Sequence, residues 1–342
     1  MQMNFIYILL FSLFTFLITY ICRALACKFS ILDMPGKRKI HQDPTPLLGG
    51  LAIYVCVMSG LIFGPVELSK VSGLIIGSTI IFIVGTLDDI WDLSAEIRLA
   101  AQLIATFIVL VMGVNISFLP NDSIGKLGEI ILTYIWIVGI TNAMNYLDGV
   151  DGLAAGTTAI CAGFFLIISY HTNQFLISFV SVLVLAGCLG FLPHNFKKKK
   201  IFLGDGGSTF LGFTIACLAI MGDWGEYNVI SLVTPILILG IPIFDMVFTT
   251  IMRIKEKKIK TVIEWFEYAG TDHFHHRLMD LGLGPKGVII FIYCINISLG
   301  ISALMVSNEK PLIGVFAILQ GFAIFTLIAI LTVLGKRHSE KK

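Results

Sequence analysis

Two adjacent carboxylates close an apolar segment of the chain. Asp88 and Asp89 directly follow Val84-Gly85-Thr86-Leu87, and a charge in or near hydrocarbon is costly enough to indicate a function. Repulsion between neighbouring carboxylates favours proton uptake, so the pair is a candidate base for the last proton of a phosphate monoester. The alternative is a pair of solvated charges just beyond the end of a helix.

A second polar segment combines amides, carboxylates and glycines. Asn142, Asn145, Asp148 and Asp151 lie within eleven residues that end at Gly152. Hard cations such as Mg²⁺ prefer oxygen ligands of this kind. The segment therefore predicts a cation-binding turn, with an ordinary Asn/Asp/Gly turn as the alternative.

The segment Gly204-Asp205-Gly206-Gly207-Ser208 opens another apolar run. Its glycines would admit a phosphate close to backbone N–H groups, and Asp205 is placed to carry a magnesium ion that bridges to that phosphate. Ser208 is predicted to cap the following helix. The segment does not match a Walker loop, and a glycine-rich connector is the alternative.

Three histidines, His273, His275 and His276, occur within four residues and are followed by Arg277. Zinc is one interpretation, but such close spacing makes it awkward for all three rings to reach one ion, and there is no H-E-x-x-H pattern. Hydrogen-bond donors to a diphosphate are favoured, with Arg277 assisting or holding the loop. A solvated cationic loop is the alternative.

Four further basic residues lie beside these motifs: Lys39, His41, Arg98 and Lys200. They are candidates for gripping a phosphate, although a basic flank on the cytoplasmic side of a membrane protein needs no further purpose. Asp245 lies inside an apolar run, where a carboxylate is expected to be functional or paired.

The elements that position these residues must lie in a membrane. Of the 342 residues 56% are apolar and 13% are charged, and the mean hydropathy is +0.91, so a water-soluble surface could not be assembled from them. The net charge of +2 gives no basis for binding nucleic acid. Seven cysteines without a CxxC spacing are expected to be small buried side chains.

Hydropathy predicts an all-α polytopic membrane protein with about eleven transmembrane helices. The predicted spans are 4–24, 48–65, 71–87, 97–115, 128–144, 153–170, 175–193, 208–222, 229–251, 287–306 and 311–334. Alternation of the loops places 21 of the 24 Lys and Arg residues on one side, so the amino terminus is predicted outside and the carboxyl terminus in the cytoplasm. The chain is expected to be a single domain, 1–342, whose longest loop, 252–286, is cytoplasmic and carries the histidines.

The same alternation places all four polar motifs on the cytoplasmic side, although they did not enter the choice of orientation. Their common side indicates one site there. A transporter is the alternative from another class, but it predicts polar residues near the middle of the membrane and paired broken helices.

Taken in this order, the motifs resemble those of the polyprenyl-phosphate N-acetylhexosamine-1-phosphate transferases, in the WecA/TagO branch rather than the related MraY branch. The resemblance covers about residues 33–284. It is carried by Asp33 to Gly50, Asp88-Asp89, Asn142 to Gly156, Ile201 to Ser208, and His273 to Arg277. The form His-x-His-His is similar to the branch that uses UDP-N-acetylhexosamine, whereas enzymes of UDP-MurNAc-pentapeptide typically carry three consecutive histidines.

This resemblance implies transfer of a HexNAc-1-phosphate, in the first place GlcNAc-1-phosphate, from a UDP-sugar to undecaprenyl phosphate with release of UMP. It implies Asp88, Asp89, Asp148 and Asp151 as catalytic carboxylates, and Asn145 and Asp205 as ligands of Mg²⁺, for which Mn²⁺ can substitute. The substrate-binding candidates are then His273, His275, His276, Arg277, Lys39, His41, Arg98, Lys200 and Asn142.

The resemblance also implies a multi-pass protein of the plasma membrane whose active site faces the cytoplasm and which starts a cell-envelope glycan pathway. A homodimer is a further expectation. The alternatives are the same reaction with another UDP-sugar or with UDP-MurNAc-pentapeptide, and a membrane transporter.

Overall fold

The computed structural model describes residues 6–34, 43–196, 201–261, 264, 268, 270, 272–307 and 309–339, with side chains up to residue 333. These residues form helices and one antiparallel pair of two-residue strands, which confirms the all-α class. The strands are β1 Leu32–Asp33 and β2 Thr45–Pro46. The helices are α1 Ile6–Lys28, α2 Gly49–Phe63, α3 Leu68–Trp91, α4 Ala95–Val111, α5 Ser123–Leu147, α6 Leu153–His171, α7 Phe175–Asn195, α8 Gly204–Met221, α9 Asn228–Ile238, α10 Gly240–Lys255, α11 Phe274–Asp280, α12 Pro285–Val306 and α13 Pro311–Ser339.

Each predicted span contains at least one helix, but the helices differ in length. Among the described residues, eight helices are long and apolar enough to cross a membrane, and the bent pair α9 and α10 would make a ninth. Helix α2 has 15 residues and α4 has 17. At about 1.5 Å per residue, both are shorter than a hydrocarbon core of about 30 Å. A polytopic helical protein is thus confirmed, while the total of eleven spans and the sides of the two termini stay predictions.

The ninth predicted span, 229–251, is not one straight helix. It divides at Leu239, and its halves α9 and α10 are bent by 77°. Pro242 has no N–H to donate to the carbonyl of Ile238 four residues earlier, which weakens the helix there. The thiol of Cys161 donates to that carbonyl instead, at 3.1 Å. The bend directs α10, which carries Asp245 and Arg253, towards the segment that contains the histidines.

Helix α8 lies at the centre of the bundle and packs against α2, α3, α5, α6 and α7. It is apolar on nearly every side, as expected for a helix with no face on lipid or water. Its contact with α2 is especially close, because a Cβ added to Gly50 would lie 2.2 Å from the Cα atom of Gly207. Small residues therefore set how deeply α8, and with it Asp205, sits in the bundle.

The start of α8 is fixed by a short run of backbone hydrogen bonds. The N–H of Phe202 donates to Pro46 of β2, and the N–H groups of Gly49 and Gly50 donate to Phe202 and Leu203. The strand pair and the first turn of α2 thus hold the residues that precede Asp205.

Gly207→Ala is expected to destabilise the protein by about 1–3 kcal/mol, because the added methyl group has to displace the backbone of α2. The apparent melting temperature in detergent should fall. The matched control is Gly163→Ala in α6, where an added Cβ meets nothing within 4 Å and a helical alanine should be neutral or mildly stabilising. Equal melting temperatures for the two variants would contradict the close contact between α2 and α8.

Candidate active site

The carboxylate of Asp89, in the last turn of α3, caps α8. Its two oxygens accept the backbone N–H groups of Asp205 at 2.8 Å and of Gly206 at 3.1 Å. Gly204 allows this approach, because its φ is +77° and an added Cβ would lie 2.6 Å from an oxygen of Asp89. Two expectations are corrected here. These N–H groups face Asp89 rather than a substrate phosphate, and Ser208 lies inside the helix instead of capping it.

Asp88, the other member of the pair, points to a different set of partners. Its carboxylate accepts the backbone N–H of Leu93 at 2.7 Å and Nη1 of Arg98 at 3.0 Å. The side chain is only 3% exposed, yet it borders two cavities. Asp88 therefore borders both cavities, whereas Asp89, which holds the start of α8, lines only the larger one.

Asp88, Asn145 and Asp205 come from distant parts of the chain and line one cavity of about 100 Å³. Oγ of Ser208 donates to Oδ1 of Asn145 at 2.7 Å, and Asp88 and Asp205 border the same small cavity. Carboxylates at the wall of one small cavity repel each other, and a proton or a cation relieves that repulsion.

The donor atoms at this point suit a hard cation. They are carboxylate and amide oxygens, the type that Mg²⁺ prefers. Among the residues that the structure describes, no three His, Cys, Asp or Glu side chains form a metal site by themselves. Oxygen atoms of substrate or water would therefore have to complete the coordination by Asn145 and Asp205, as is usual for Mg²⁺.

A larger cavity of about 830 Å³ shares Asp88 and Asp205 with the first. This volume lies in the range of pockets that bind nucleotide-sized ligands. Its lining contains seven aspartates: Asp33, Asp88, Asp89, Asp92, Asp148, Asp151 and Asp205. Within the described residues, Lys286 is the one Lys or Arg in that lining. Such a lining would favour entry of an anionic ligand together with cations.

The turn that carries Asp148 and Asp151 is clamped from two sides at Gly152. The N–H of Gly152 donates to Oδ1 of Asn195, and the hydroxyl of Tyr293 donates to its carbonyl at 2.5 Å. Burial, together with the charges of Asp205, Asp89 and Asp151, raises the pKa of Asp148 well above its usual range. A bound cation would reverse this effect.

The histidines have three different environments. His275 is 1% exposed, and neither ring nitrogen has a hydrogen-bond partner among the described residues. Burial lowers the pKa of His275 to about 3, so its ring is neutral. His276 borders the larger cavity. His273 is 5% exposed, and each of its ring nitrogens already has a protein partner. Because buried polar groups are normally hydrogen-bonded, the ring of His275 is a candidate to contact a ligand.

Three other residues that are predicted to bind substrate already have hydrogen-bond partners within the protein. Arg98 pairs with Asp88, and the amide of Asn142 makes reciprocal hydrogen bonds of 2.7 Å and 3.2 Å with that of Gln102. Arg277 donates to the carbonyl of Asp272 at 2.8 Å, which fits the expectation that it holds the loop. Contact of Arg98 and Asn142 with substrate stays a prediction, since both border the smaller cavity. Lys39, His41 and Lys200 lie outside the described residues.

Four side chains that shape the site were not predicted from the sequence: Gln102, Asn195, Lys286 and Tyr293. Gln102 and Tyr293 lie within apolar runs and Asn195 at the end of one, where a polar residue signals a hydrogen-bond partner without identifying it. Lys286 entered only the count of basic residues that fixed the orientation. Its place in the cavity follows from the start of α12 rather than from any motif.

The chain has clear relatives among characterised families. The model of a family described as Glycosyl transferase family 4 matches residues 71–223. The chain is 35% identical over 328 residues to a protein of Bacillus subtilis (strain 168) named "Probable undecaprenyl-phosphate N-acetylglucosaminyl 1-phosphate transferase", with 94% of this chain and 90% of that protein covered. It is 29% identical over 317 residues to the "Decaprenyl-phosphate N-acetylglucosaminephosphotransferase" of Mycolicibacterium smegmatis (82% and 77% covered). It is 27% identical over 304 residues to the "Undecaprenyl-phosphate alpha-N-acetylglucosaminyl 1-phosphate transferase" of Yersinia pestis (85% and 80% covered).

Proposed function

Because the chain belongs to glycosyl transferase family 4, as a polyprenyl-phosphate N-acetylhexosamine-1-phosphate transferase, we propose that it transfers GlcNAc-1-phosphate from UDP-GlcNAc to undecaprenyl phosphate. The products are a polyprenyl-diphosphate sugar and UMP. The observation that carries the proposal is the meeting of Asp88, Asn145 and Asp205 at one cavity, next to a second that is large enough for a nucleotide sugar.

In the proposed reaction an oxygen of the lipid phosphate attacks the phosphorus that bears the sugar. A new P–O bond forms, the bond to UMP breaks, and UMP leaves with the electron pair. Asp88 takes the last proton of the acceptor phosphate or orients that phosphate. Arg98, which lies beside Asp88, holds the phosphate. Asp89 acts indirectly, because it fixes the start of α8.

Asn145 and Asp205 would hold Mg²⁺, or Mn²⁺ in its place. The ion would supply positive charge to the diphosphate of the donor. Asp148 and Asp151 shape the wall of the larger cavity, and their turn is held by Asn195 and Tyr293. His276 brings a ring to the lining of the larger cavity, and the ring of His275 lies against Gly149 of the same lining.

We place this site on the cytoplasmic side of the plasma membrane, where a UDP-sugar is available. The proposal rests on the unequal distribution of basic residues. Formation of a homodimer stays a prediction.

The test is UMP release by the purified protein with Mg²⁺, undecaprenyl phosphate and a panel of UDP-sugars. UMP should appear with UDP-GlcNAc and should stop when EDTA is added. UMP release with UDP-MurNAc-pentapeptide but not UDP-GlcNAc would move the chain to the alternative donor. Absence of UMP with every sugar would contradict the proposed reaction.

Lys286→Gln is expected to raise the KM for UDP-GlcNAc about tenfold with little change in kcat, because one charge-assisted contact to a phosphate is lost. Lys286→Arg should restore most of the affinity. Lys255→Gln, an exposed lysine at the end of α10, is the matched control and should behave like the parent. Steady-state kinetics decide the matter, and an unchanged KM for Lys286→Gln would remove this residue from the binding site.

A further inference from the structure

A chain of buried polar side chains joins α10 to the segment that begins at Asp272. Asp245 is wholly buried, and its carboxylate has two partners in that segment. One oxygen lies 2.9 Å from Nδ1 of His273, and the other accepts the backbone N–H of Phe274 at 2.6 Å. A single carboxylate thus fixes both the ring of His273 and the first backbone N–H of α11.

The opposite side of the His273 ring contacts Arg253. Nη2 of Arg253 lies 3.0 Å from Nε2 of His273 and 2.8 Å from Oδ1 of Asp272, while Nε lies 3.1 Å from Oδ2 of Asp272. A guanidinium group is always a donor, so Nε2 of His273 must be an acceptor. The proton is consequently on Nδ1 and is donated to Asp245.

This arrangement uses both ring nitrogens of a neutral histidine, and one face of the ring stacks on Tyr146 with the centroids 4.4 Å apart. Neither nitrogen remains for a diphosphate. His275, two residues later, is the contrasting case, because both of its nitrogens are buried without a partner in the described structure. His273 and His275 therefore have different roles.

We propose that His273 is a positioning residue and does not bind substrate. Through Asp245 it anchors the segment that begins at Asp272 to helix α10. The proposal rests on the proposed function for what is positioned, namely His276, which lines the larger cavity, and His275, which packs against Gly149 of that lining. Arg277 adds a second tie, since it donates to Asp272 and lies over the ring of Phe248 in α10, 5.2 Å from its centroid. Tyr146, which stacks on His273, directly follows Asn145 in α5, so the same contact joins this segment to the helix that carries Asn145.

Two substitutions of His273 separate the roles, because each preserves one nitrogen. In His273→Asn the amide nitrogen occupies the position of Nδ1 and still donates a hydrogen bond to Asp245. In His273→Gln the amide group lies farther out, at the position of Nε2, and the hydrogen bond to Asp245 is lost. His273→Asn should keep the KM for UDP-GlcNAc within about threefold of the parent. His273→Gln should raise it about tenfold, the effect of one lost hydrogen bond to a charged group, without changing the KM for undecaprenyl phosphate. A substrate ligand acting through Nε2 would give the reverse order, and that order, or equal losses in both variants, overturns the proposal.

His171→Asn and His171→Gln, at an exposed histidine that ends α6, are the matched controls. A second measurement needs no variant. In the parent protein without nucleotide, the amide of Phe274 should be protected from hydrogen exchange, because it donates to a buried carboxylate. Rapid exchange that slows only when UDP-GlcNAc is added overturns the proposal. If the parent protein releases no UMP with any donor, the proposed function fails while the exchange of Phe274 still tests the anchor.

Discussion

Asp88→Asn is expected to reduce the kcat of UMP release by about a thousandfold, within the range that a positioned general base contributes. The substitution preserves the shape of the side chain and an oxygen that can accept the N–H of Leu93. It removes the charge that pairs with Arg98 and the ability to take a proton from the acceptor phosphate. The measurement is single-turnover UMP release at saturating undecaprenyl phosphate.

The matched control is Asp92→Asn, four residues later in the same cavity lining. Asp92 directly follows α3 with φ +51°, a conformation that Asn adopts easily, so the same loss of charge should change kcat less than about threefold. If Asp88→Asn turns over as fast as the parent, Asp88 is not the base. If both variants lose activity equally, the effect belongs to the total charge of the cavity rather than to Asp88.

The sequence was sufficient to predict that Asp88, Asn145 and Asp205 share a site. Each of them stands at the end of an apolar segment, and the alternation of those segments places all three at the same end of the bundle. This inference needs only hydropathy, because a helix that crosses the membrane leaves its next polar residue at a known side. The distinct environments of the carboxylates could not be predicted in the same way.

Asp88 and Asp89 show why. They are adjacent and identical, and on a helix they project about 100° apart. Which of them meets α8 depends on how α3 is rotated, and the close packing of Gly85 on Gly206 fixes that rotation. Such a contact between distant glycines has no signature within either segment.

The bend at Leu239 was missed for a different reason. A hydropathy window of about 17 to 25 residues averages over Gly240 and Pro242 and reports one span. The local signal was present, since a proline inside a helical pattern ends or kinks the helix. Without the bend, α10 would not bring Asp245 to His273, so the histidine motif appeared to be a set of three equivalent substrate contacts.

Asp205→Asn tests the cation directly, and a loss of about a hundredfold to a thousandfold in UMP release is expected at a fixed Mg²⁺ concentration. Asn lacks the negative charge that a hard cation favours, so more Mg²⁺ should be needed for half-maximal rate. The backbone of residue 205 keeps its hydrogen bond to Asp89, and its carbonyl still accepts from Thr209, so the start of α8 should be unchanged. An Mg²⁺ titration of the rate and direct binding of Mn²⁺ followed by electron paramagnetic resonance measure the two effects separately.

Asp223→Asn supplies the control beyond the opposite end of the same helix, where an exposed aspartate lies two residues after Met221. It should leave both the rate and Mn²⁺ binding as in the parent. A slower Asp205→Asn variant that still binds Mn²⁺ normally would show that Asp205 serves the reaction without holding the ion. The distinction matters because the larger cavity is lined by seven aspartates. Lys286 is the one Lys or Arg among the described residues of that lining, so we expect a cation to neutralise charge on this wall when a diphosphate approaches Asp88.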